Sequence, residues 1–290
     1  MAAAVWTIKA LLDWTTDYLA KKDFESPRLE AQLLLAHVLN CAKIDLLVRY
    51  DETPTESART AYRELIQRRI EHWPVAYLTG TKEFYSLAFE VSPAVLIPRP
   101  DTETLILEAL RLLKPIPNPA ILDLGTGSGC IAVTLAKHHA TARLTAVDLS
   151  PDALDVAKRN ATKHSVAERI RFLQGDLWNP VPVGSTFDMI VSNPPYVTPA
   201  EFASLDATVR DHEPRLALDG GPDGLAFYRR IATAGGAFLK PGGWVLVEIG
   251  STQDSAVRSL FADAGYEVGK TLKDMADLPR VVTARRLLKD

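Results

Sequence analysis

Hydrophobic positions in the first eighty residues recur every three or four residues, which is the spacing of amphipathic helices. Ser26-Pro27 predicts the start of one helix, and residues 53–56 (TPTE) match a capping box that would start another. We therefore predict a small helical bundle with its own core over residues 1–80. The apolar positions behind this prediction are Ile8, Leu11, Leu12, Leu19, Leu29, Leu33, Ala36, Leu39, Tyr62, Leu65, Ile66, Ile70 and Trp73.

The pattern changes over residues 81–118. Within residues 84–97 (FYSLAFEVSPAVLI), apolar Leu87, Phe89 and Val91 alternate with their neighbours, which is typical of strands. We predict a β-hairpin here that joins two domains, followed by a helix over residues 101–114. The proline-rich stretch after it, residues 114–119 (KPIPNP), ends that helix.

From residue 119 to residue 290, strand-like and helix-like segments alternate. Strands are predicted at 120–124, 143–148, 170–173, 187–191 and 244–249, with helices at 129–138 and 151–163. This alternation is the pattern of an α/β domain with a mostly parallel, doubly wound, Rossmann-like sheet. Such sheets bind ligands beyond the carboxyl ends of their strands, so the residues that follow each strand are the candidates for function.

Composition narrows the classes of function. The 290 residues are 47% hydrophobic with a net charge of −3, and residues 1–90 carry 11 Lys and Arg against 13 Asp and Glu, a difference of −2. This balance argues against stable nucleic-acid binding. Two cysteines without a CxxC pair, and six histidines without ligand spacing, predict a reducing compartment and no metal. Short apolar stretches in residues 1–14 and elsewhere predict no signal peptide and no membrane span, hence a cytoplasmic protein.

A glycine-rich turn follows the strand at 120–124. Residues 121–130 (ILDLGTGSGC) place glycines at 125, 127 and 129, where the backbone can turn tightly and approach a ligand. A dinucleotide fingerprint would place its third small residue at position 130, which is Cys130, and the lysine of a phosphate-binding P-loop is missing. The turn therefore predicts a nucleoside-containing cofactor other than NAD.

Two further strand ends carry acidic residues. Asp148 ends the strand after the glycine turn, where a carboxylate can accept both hydroxyls of a ribose; alternatively, it only caps the helix after Pro151. Asp176 and the backbone of Leu177 follow the next strand, where they can read the edge of an adenine.

The strand at 187–191 ends in Asn193-Pro194-Pro195-Tyr196. An amide or exocyclic amine nitrogen is a poor nucleophile, because its lone pair is delocalised. The Asn193 side-chain oxygen and the Pro194 carbonyl can accept its two hydrogens, which orients the nitrogen and stabilises developing positive charge. Tyr196 can cover one face of a flat amide or base. The plain alternative is a strand broken by two prolines, and the tetrapeptide alone does not choose between a protein amide and an adenine.

The glycine turn, Asp148 and this tetrapeptide resemble the class I S-adenosylmethionine-dependent methyltransferases over about residues 119–290. Five further segments extend the resemblance to nearly the whole chain and specify the peptide chain release factor glutamine methyltransferase family. They are residues 74–80 (PVAYLTG), 95–103 (VLIPRPDTE), 213–218 (EPRLAL), 220–224 (GGPDG) and 248–250 (EIG).

The resemblance implies an N-terminal helical, partner-binding domain over residues 1–80, a hairpin and linker helix over 81–118, and a methyltransferase domain over 119–290. It implies methylation of the glutamine amide in the Gly-Gly-Gln loop of class I release factors, with S-adenosyl-L-methionine as donor. Substrate contacts are expected at Asn193, Pro194, Pro195 and Tyr196. Cofactor contacts are expected at Gly125, Thr126, Gly127, Ser128, Gly129, Asp148, Asp176, Leu177 and Asn193.

Several alternatives stay open from the sequence. A sister branch of the family methylates a ribosomal-protein glutamine and shares the same motifs. Adenine-N6 methyltransferases of DNA or RNA carry the same type of tetrapeptide. A non-catalytic protein that only binds the cofactor is the third alternative. Many relatives have an aromatic residue at the position of Leu177, so either Leu177 or Trp178 flanks the adenine. Arg99 and Glu103 either line the site or brace the two domains.

Overall fold

The computed structural model describes residues 5–287. Its helices are α1 (Ile8–Ala20), α2 (Pro27–Val38), α3 (Lys43–Val48), α4 (Glu56–Ile70), α5 (Val75–Thr79), α6 (Glu103–Leu113), α7 (Cys130–His138), α8 (Pro151–Lys163), α9 (Pro199–Ser204), α10 (Ala207–Arg210), α11 (Ala226–Phe238) and α12 (Asp254–Asp263). Its strands are β1 (Thr81–Phe84), β2 (Leu87–Glu90), β3 (Ala120–Leu124), β4 (Arg143–Asp148), β5 (Ile170–Gln174), β6 (Phe187–Ser192), β7 (Leu239–Glu248), β8 (Tyr266–Val268), β9 (Leu272–Lys273) and β10 (Pro279–Arg286). No helix within residues 5–287 is long and apolar enough to cross a membrane.

The chain forms two compact units. The first contains the residues up to Gly80 together with Ala207–His212, and the second contains Thr81–Asp206 and the residues from Glu213 onward. The first unit is helical, as predicted, and holds a separate hydrophobic core around Leu12, Leu34 and Tyr62. The Tyr62 hydroxyl donates to the Ala31 carbonyl at 3.1 Å, which satisfies its polar end inside this core.

Two local predictions in the first unit are wrong. Helix α4 begins at Glu56 and its cap is Thr55, whose hydroxyl accepts the Ala58 N–H at 3.2 Å; the predicted box from Thr53 to Glu56 does not form. Glu56 is the first helical residue and so stands too early to reach back to a cap. In α2, Leu29 is exposed while Leu34 and Leu35 are buried. A run of adjacent apolar residues leaves the buried face of a helix undefined until its partner helices are in place.

The second unit is built on one large sheet with strand order β5-β4-β3-β6-β7-β10-β8, and β9 pairs with β10. Pairs among β3 to β7 are parallel, and β10 runs antiparallel to β7, β8 and β9. This confirms the mostly parallel α/β fold. The antiparallel strands β8–β10 were not predicted, and β7 begins at Leu239 rather than residue 244, because Lys240-Pro-Gly-Gly243 reads as a turn.

The hairpin is shorter than residues 84–97 suggested. Strands β1 and β2 pair antiparallel, and the two residues between them, Tyr85 and Ser86, have φ of +49° and +59°. Positive φ at both central residues is the geometry of the tight turns that hairpins favour. Residues 91–97 are not in a strand.

Side chains of the central strands alternate between two cores, one on each face of the sheet. Ile121 and Met189 join the core of α6 and α7, while Leu122 and Ile190 join the core of α11 and α12. The parallel strands are also in register at their carboxyl ends: Leu124 pairs with Val147 and with Ser192, and Ser192 pairs with Val247. The residues that follow β3, β4, β6 and β7 therefore meet at one edge of the sheet.

Candidate active site

A cavity of about 300 Å³ lies within the second unit, at the edge where these strands end. It stands where the strand order reverses, between β3 and β6, which is the usual ligand site of a doubly wound sheet. Of the residues predicted to contact cofactor or substrate, Gly129, Pro194 and Tyr196 do not line it. Those that do are Gly125, Thr126, Gly127, Ser128, Asp148, Asp176, Leu177, Asn193 and Pro195.

The glycine turn presents its backbone to this cavity. Gly125, Gly127 and Gly129 have φ of +72°, +54° and +79°, conformations that L side chains rarely adopt. Gly129 has a packing role, because a Cβ at this position would lie 3.1 Å from the Cβ of Ala157 in α8. The first two glycines shape the cavity wall, and the third allows α7 to begin close beneath α8.

Asp148 holds the turn from the neighbouring strand. Its Oδ2 accepts the Gly127 N–H at 2.8 Å and its Oδ1 accepts the Ser150 N–H at 3.0 Å. Burial raises the pKa of this carboxyl, although the backbone donors lower it. The cap of α8 is Ser150, whose hydroxyl accepts the Ala153 N–H. Asp148 is therefore not the cap, and each of its oxygens keeps a lone pair for a further donor.

Two buried polar atoms beside the turn have no hydrogen-bond partner among the described residues. They are Asp123 Oδ1 and Ser128 Oγ. The other Asp123 oxygen accepts the Thr126 hydroxyl at 2.7 Å, and burial raises the pKa of Asp123 to about 7. Of these two residues only Ser128 lines the cavity, so its hydroxyl is the one that a bound molecule there could contact.

Leu177 and Trp178 have different surroundings. Leu177 lines the cavity and has a φ of +49°, whereas the Trp178 ring stacks on Phe238 at 4.8 Å and its Nε1 donates to the Arg230 carbonyl. Trp178 is not a cavity residue. Asp176 does line the cavity, but its carboxylate already pairs with the Arg230 guanidinium at 2.8 Å.

Asn193 is held by a hydroxyl from a distant segment. Its Nδ2 donates to Thr102 Oγ1 at 3.2 Å, and the Thr102 hydroxyl donates to Glu248 Oε2 at 2.5 Å. Thr102 ends a 3₁₀ turn (Pro100–Thr102) just before α6, and Glu248 ends β7. The Asn193 amide group therefore has a fixed neighbour on its NH₂ side, while Asn193 itself lines the cavity.

Neither Pro194 nor Tyr196 lines the cavity. Pro194 is buried, and the Tyr196 carbonyl accepts Gln253 Nε2 at 3.2 Å. Burial raises the pKa of the Tyr196 hydroxyl to about 12, with Glu248 as the next cause. The role of Tyr196 as a wall for the acceptor group stays a prediction.

Arg99 and Glu103, for which two roles were open, make different contacts. Arg99 lines the cavity and pairs with Glu213 at 2.5 Å, and the other Glu213 oxygen accepts the Ile97 N–H. Glu103 is not a cavity residue; it accepts the Tyr85 N–H at 3.0 Å and so holds the hairpin turn.

Sequence reasoning gave no role to three residues that structure this site: Thr102, Glu213 and Glu248. All three lie in segments that carry the family resemblance, residues 95–103, 213–218 and 248–250. The sequence feature that could have identified them was a charged or polar residue directly after an apolar run; Glu248, for example, follows residues 244–247 (WVLV). Only the folded sheet shows that they meet Asn193 or Arg99.

Comparisons with known proteins agree with this geometry. The hMettl16 catalytic domain aligns with a TM-score of 0.58 and 16% identity over 74% of this chain and 81% of that one, a similarity of fold. Family models match for the PrmC N-terminal domain over residues 10–80 and the methyltransferase small domain over residues 99–220. The sheet, the glycine turn and the cavity thus define a class I methyltransferase.

The full-length relatives narrow this class to a family. A release factor glutamine methyltransferase of Rhodopirellula baltica is 42% identical over 287 residues, with 97% of each chain covered. The protein of the same name from Geobacter sulfurreducens is 44% identical over 281 residues, again with 97% of each chain covered. The chain belongs to the release factor glutamine methyltransferase family.

Proposed function

We propose that this protein methylates the side-chain amide nitrogen of the glutamine in the Gly-Gly-Gln loop of class I peptide chain release factors. S-adenosyl-L-methionine is the methyl donor, and when bound it supplies a methyl group on a positively charged sulfur. Family membership over the full length supports the activity, and the arrangement of Asn193 supports the chemistry. Because release factors act in translation, the reaction is assigned to the cytoplasm.

The cofactor binds, in this proposal, along the edge formed by β3, β4 and β5. The glycine turn offers backbone N–H groups, and Asp148 accepts the ribose hydroxyls with its remaining lone pairs. Ser128 Oγ, in the cavity wall, is a further contact for a methyl donor that carries hydroxyl and ammonium groups. Leu177 supplies an apolar surface for the adenine.

The acceptor side uses hydrogen-bond acceptors rather than a strong base. Asn193 Oδ1, in the cavity wall, accepts one hydrogen of the glutamine NH₂, and we assign the other hydrogen to the carbonyl of the adjacent Pro194, a residue that does not itself line the cavity; the nitrogen lone pair then turns toward the methyl group. As the new N–C bond forms, the bond between that methyl group and sulfur breaks and a neutral thioether leaves. Positive charge therefore passes to the nitrogen, and both oxygens stabilise it. The methylated nitrogen is acidic and loses a proton to solvent. The contact from Asn193 Nδ2 to Thr102 carries this proposal, since it leaves the amide oxygen for the substrate.

We assign the release factor to the first unit, which has no nucleotide motif and exposes large apolar side chains. On α3, Ile44 is 64% exposed and Val48 is 85% exposed, and Trp14 of α1 is 48% exposed. Ile44 and Val48 are four residues apart and so lie on one face of α3, where neighbouring exposed apolar side chains form the kind of patch that marks a protein-binding surface.

Charges introduced on α3 test this assignment. The double variant Ile44→Asp, Val48→Asp is expected to raise KM for release factor by at least about 10-fold, with kcat and cofactor affinity unchanged. Gln67→Asp, on the exposed side of α4, is the matched control. If KM for release factor is unchanged in the double variant, this surface of the first unit does not bind the release factor.

One experiment decides the substrate. Radiolabelled methyl groups are offered to purified release factor, ribosomal proteins and nucleic acid side by side, with a release factor whose loop glutamine is replaced as control. We expect label only in the release factor that keeps its glutamine. Label in a ribosomal protein or in nucleic acid instead, with release factor unlabelled, assigns one of the other substrates.

A further inference from the structure

Thr102 and Glu248 form a hydrogen-bonded chain with Asn193, and only the contact between Thr102 and Asn193 enters the proposed function. We propose that this chain sets which end of the Asn193 amide faces the substrate, and that methyl transfer requires Glu248 in its ionised form. Thr102 and Glu248 are then positioning residues that act through Asn193. The proposal rests on the proposed function, since it concerns the acceptor side of the same reaction.

The chemistry of the three groups fixes the direction of the chain. An ionised carboxylate only accepts hydrogen bonds, so Thr102 must donate its single proton to Glu248. The Thr102 oxygen is then an acceptor, and it takes Asn193 Nδ2–H at 3.2 Å. An amide carries its oxygen on the other side from its NH₂, so Oδ1 remains for the N–H groups of the substrate.

Protonation of Glu248 would reverse this chain. A carboxylic acid O–H can donate to the Thr102 oxygen, and the Thr102 proton is then free to be donated to Asn193. The amide would turn to accept it with Oδ1 and present NH₂ to the NH₂ of the substrate. Two donors face each other in that arrangement, so the acceptor nitrogen is neither oriented nor stabilised.

The surroundings of Glu248 place this change in an accessible pH range. Glu248 is 2% exposed, and burial raises its pKa to about 7. The Arg280 guanidinium of β10 opposes this rise, but it also pairs with Asp274 at 2.8 Å and with Asp101 at 3.1 Å. The remaining charged and titratable groups that face Glu248 are Arg99 and Asp101 before α6, Cys130 at the start of α7, Tyr196 after β6, and Tyr228 of α11, whose hydroxyl donates to the Glu248 carbonyl at 2.8 Å.

Because the active form is the ionised one, the rate should rise with pH through the Glu248 titration and level off above it. The measurement is the single-turnover rate of methyl transfer to release factor between about pH 5.5 and pH 8.5, with both substrates saturating. Asp123 also has a pKa near 7 and lies beside the glycine turn. The wild-type profile alone therefore does not identify Glu248, and variants must.

Three variants separate a positioning role from a merely structural one. Thr102→Val keeps the shape but removes the hydroxyl, and should lower the rate about 10- to 100-fold at high pH, with cofactor affinity within about 3-fold of wild type. Thr102→Ser keeps the hydroxyl and should retain both the rate and the acid limb. Glu248→Gln does not titrate, so its profile should lose the acid limb.

Each of the three variants has a result that would overturn the proposal. A Thr102→Val enzyme as fast as wild type, or a Glu248→Gln enzyme with the wild-type acid limb, overturns the proposal. If Glu248→Gln does not fold, the contrast between Thr102→Val and Thr102→Ser still decides it, since a slow serine variant also contradicts it. Failure of the proposed function looks different, because wild-type enzyme would then leave release factor unlabelled at every pH.

Discussion

The two sides of the cavity are built in different ways. In the proposed function, one side of this cavity is assigned to the cofactor and the other to the acceptor amide. The cofactor side consists of backbone groups from one short turn, held by Asp148 of the adjacent strand. The acceptor side consists of side chains from three remote segments, in which Glu248 holds Thr102 and Thr102 holds Asn193. The glycines allow the backbone of one short segment to adopt positive φ and so bring its groups together locally, whereas the Asn193 side chain is fixed only by hydrogen-bonding neighbours from distant segments.

This difference predicts how each side responds to substitution. Loss of one contact on the cofactor side should weaken binding in proportion to that contact, since the remaining N–H groups stay in place. Loss on the acceptor side should act on the rate, because those groups stabilise charge that develops only during transfer. Affinity for the cofactor and rate of transfer are thus the two measurements that distinguish the sides.

The largest expected effect is at Asn193. Asn193→Ala removes the side-chain oxygen without removing a charge, so the methyl-transfer rate should fall roughly 10²- to 10³-fold while cofactor affinity changes little. Single-turnover rates on release factor with saturating cofactor measure this. If the alanine variant is as fast as wild type, Asn193 has no role in methyl transfer, and residues 193–196 are only a strand end broken by prolines.

Asn193→Asp refines the same test. The aspartate keeps an acceptor oxygen, and its charge favours a positive nitrogen, but it has no N–H to donate to the Thr102 oxygen and it costs more to bury. It should therefore be faster than Asn193→Ala and slower than wild type. A variant slower than alanine would show that the lost N–H and the buried charge outweigh the acceptor oxygen that aspartate keeps.

A smaller effect is expected at Asp148. Asp148→Ala should weaken cofactor binding by about 10- to 100-fold, equivalent to about 1.5–3 kcal/mol for a charged acceptor lost from its donors. Its affinity for release factor should not change. Asp152→Ala, which removes an exposed carboxylate from the first turn of α8, is the matched control in calorimetry. Equal cofactor affinity in the folded Asp148 variant and the control would remove Asp148 from the ribose site.

The contrast between the two sides also explains how much could be predicted from sequence. Strands β3 and β4 and helix α8 lie where the hydrophobic pattern placed them, since each is a short apolar segment between clear turn signals. The meeting of the glycine turn and Asp148 at the cavity was also predictable, because they follow consecutive strands and are only 19 residues apart in sequence; that they bind the cofactor stays a prediction. The sequence did not show the role of each glycine in the turn: Gly129 packs against Ala157 and does not line the cavity.

The acceptor side was only partly predictable for a physical reason. Asn193 could be found from its position after β6. Thr102, however, lies 91 residues before Asn193 in the sequence, and Glu248 lies 55 residues after it. Their meeting depends on the register of β6 with β7 and on the turn before α6. No local spacing carries that information, and a lone Glu after an apolar run usually indicates only a strand end.

The smallest effect concerns which residue flanks the adenine. Leu177 lines the cavity, whereas the Trp178 ring is stacked on Phe238 and its Nε1 is used by the Arg230 carbonyl. Leu177→Ala should therefore weaken cofactor binding about 3- to 10-fold, on the order of 1 kcal/mol for the apolar contact that is lost. Trp178→Phe keeps an aromatic ring against Phe238, so it should change cofactor affinity by less than about 2-fold while lowering stability slightly. Calorimetric titration of both variants with S-adenosylmethionine compares them directly. If Trp178→Phe binds cofactor more weakly than Leu177→Ala, the adenine is assigned to Trp178 rather than to Leu177. The cofactor side would then also depend on a side chain fixed by distant neighbours.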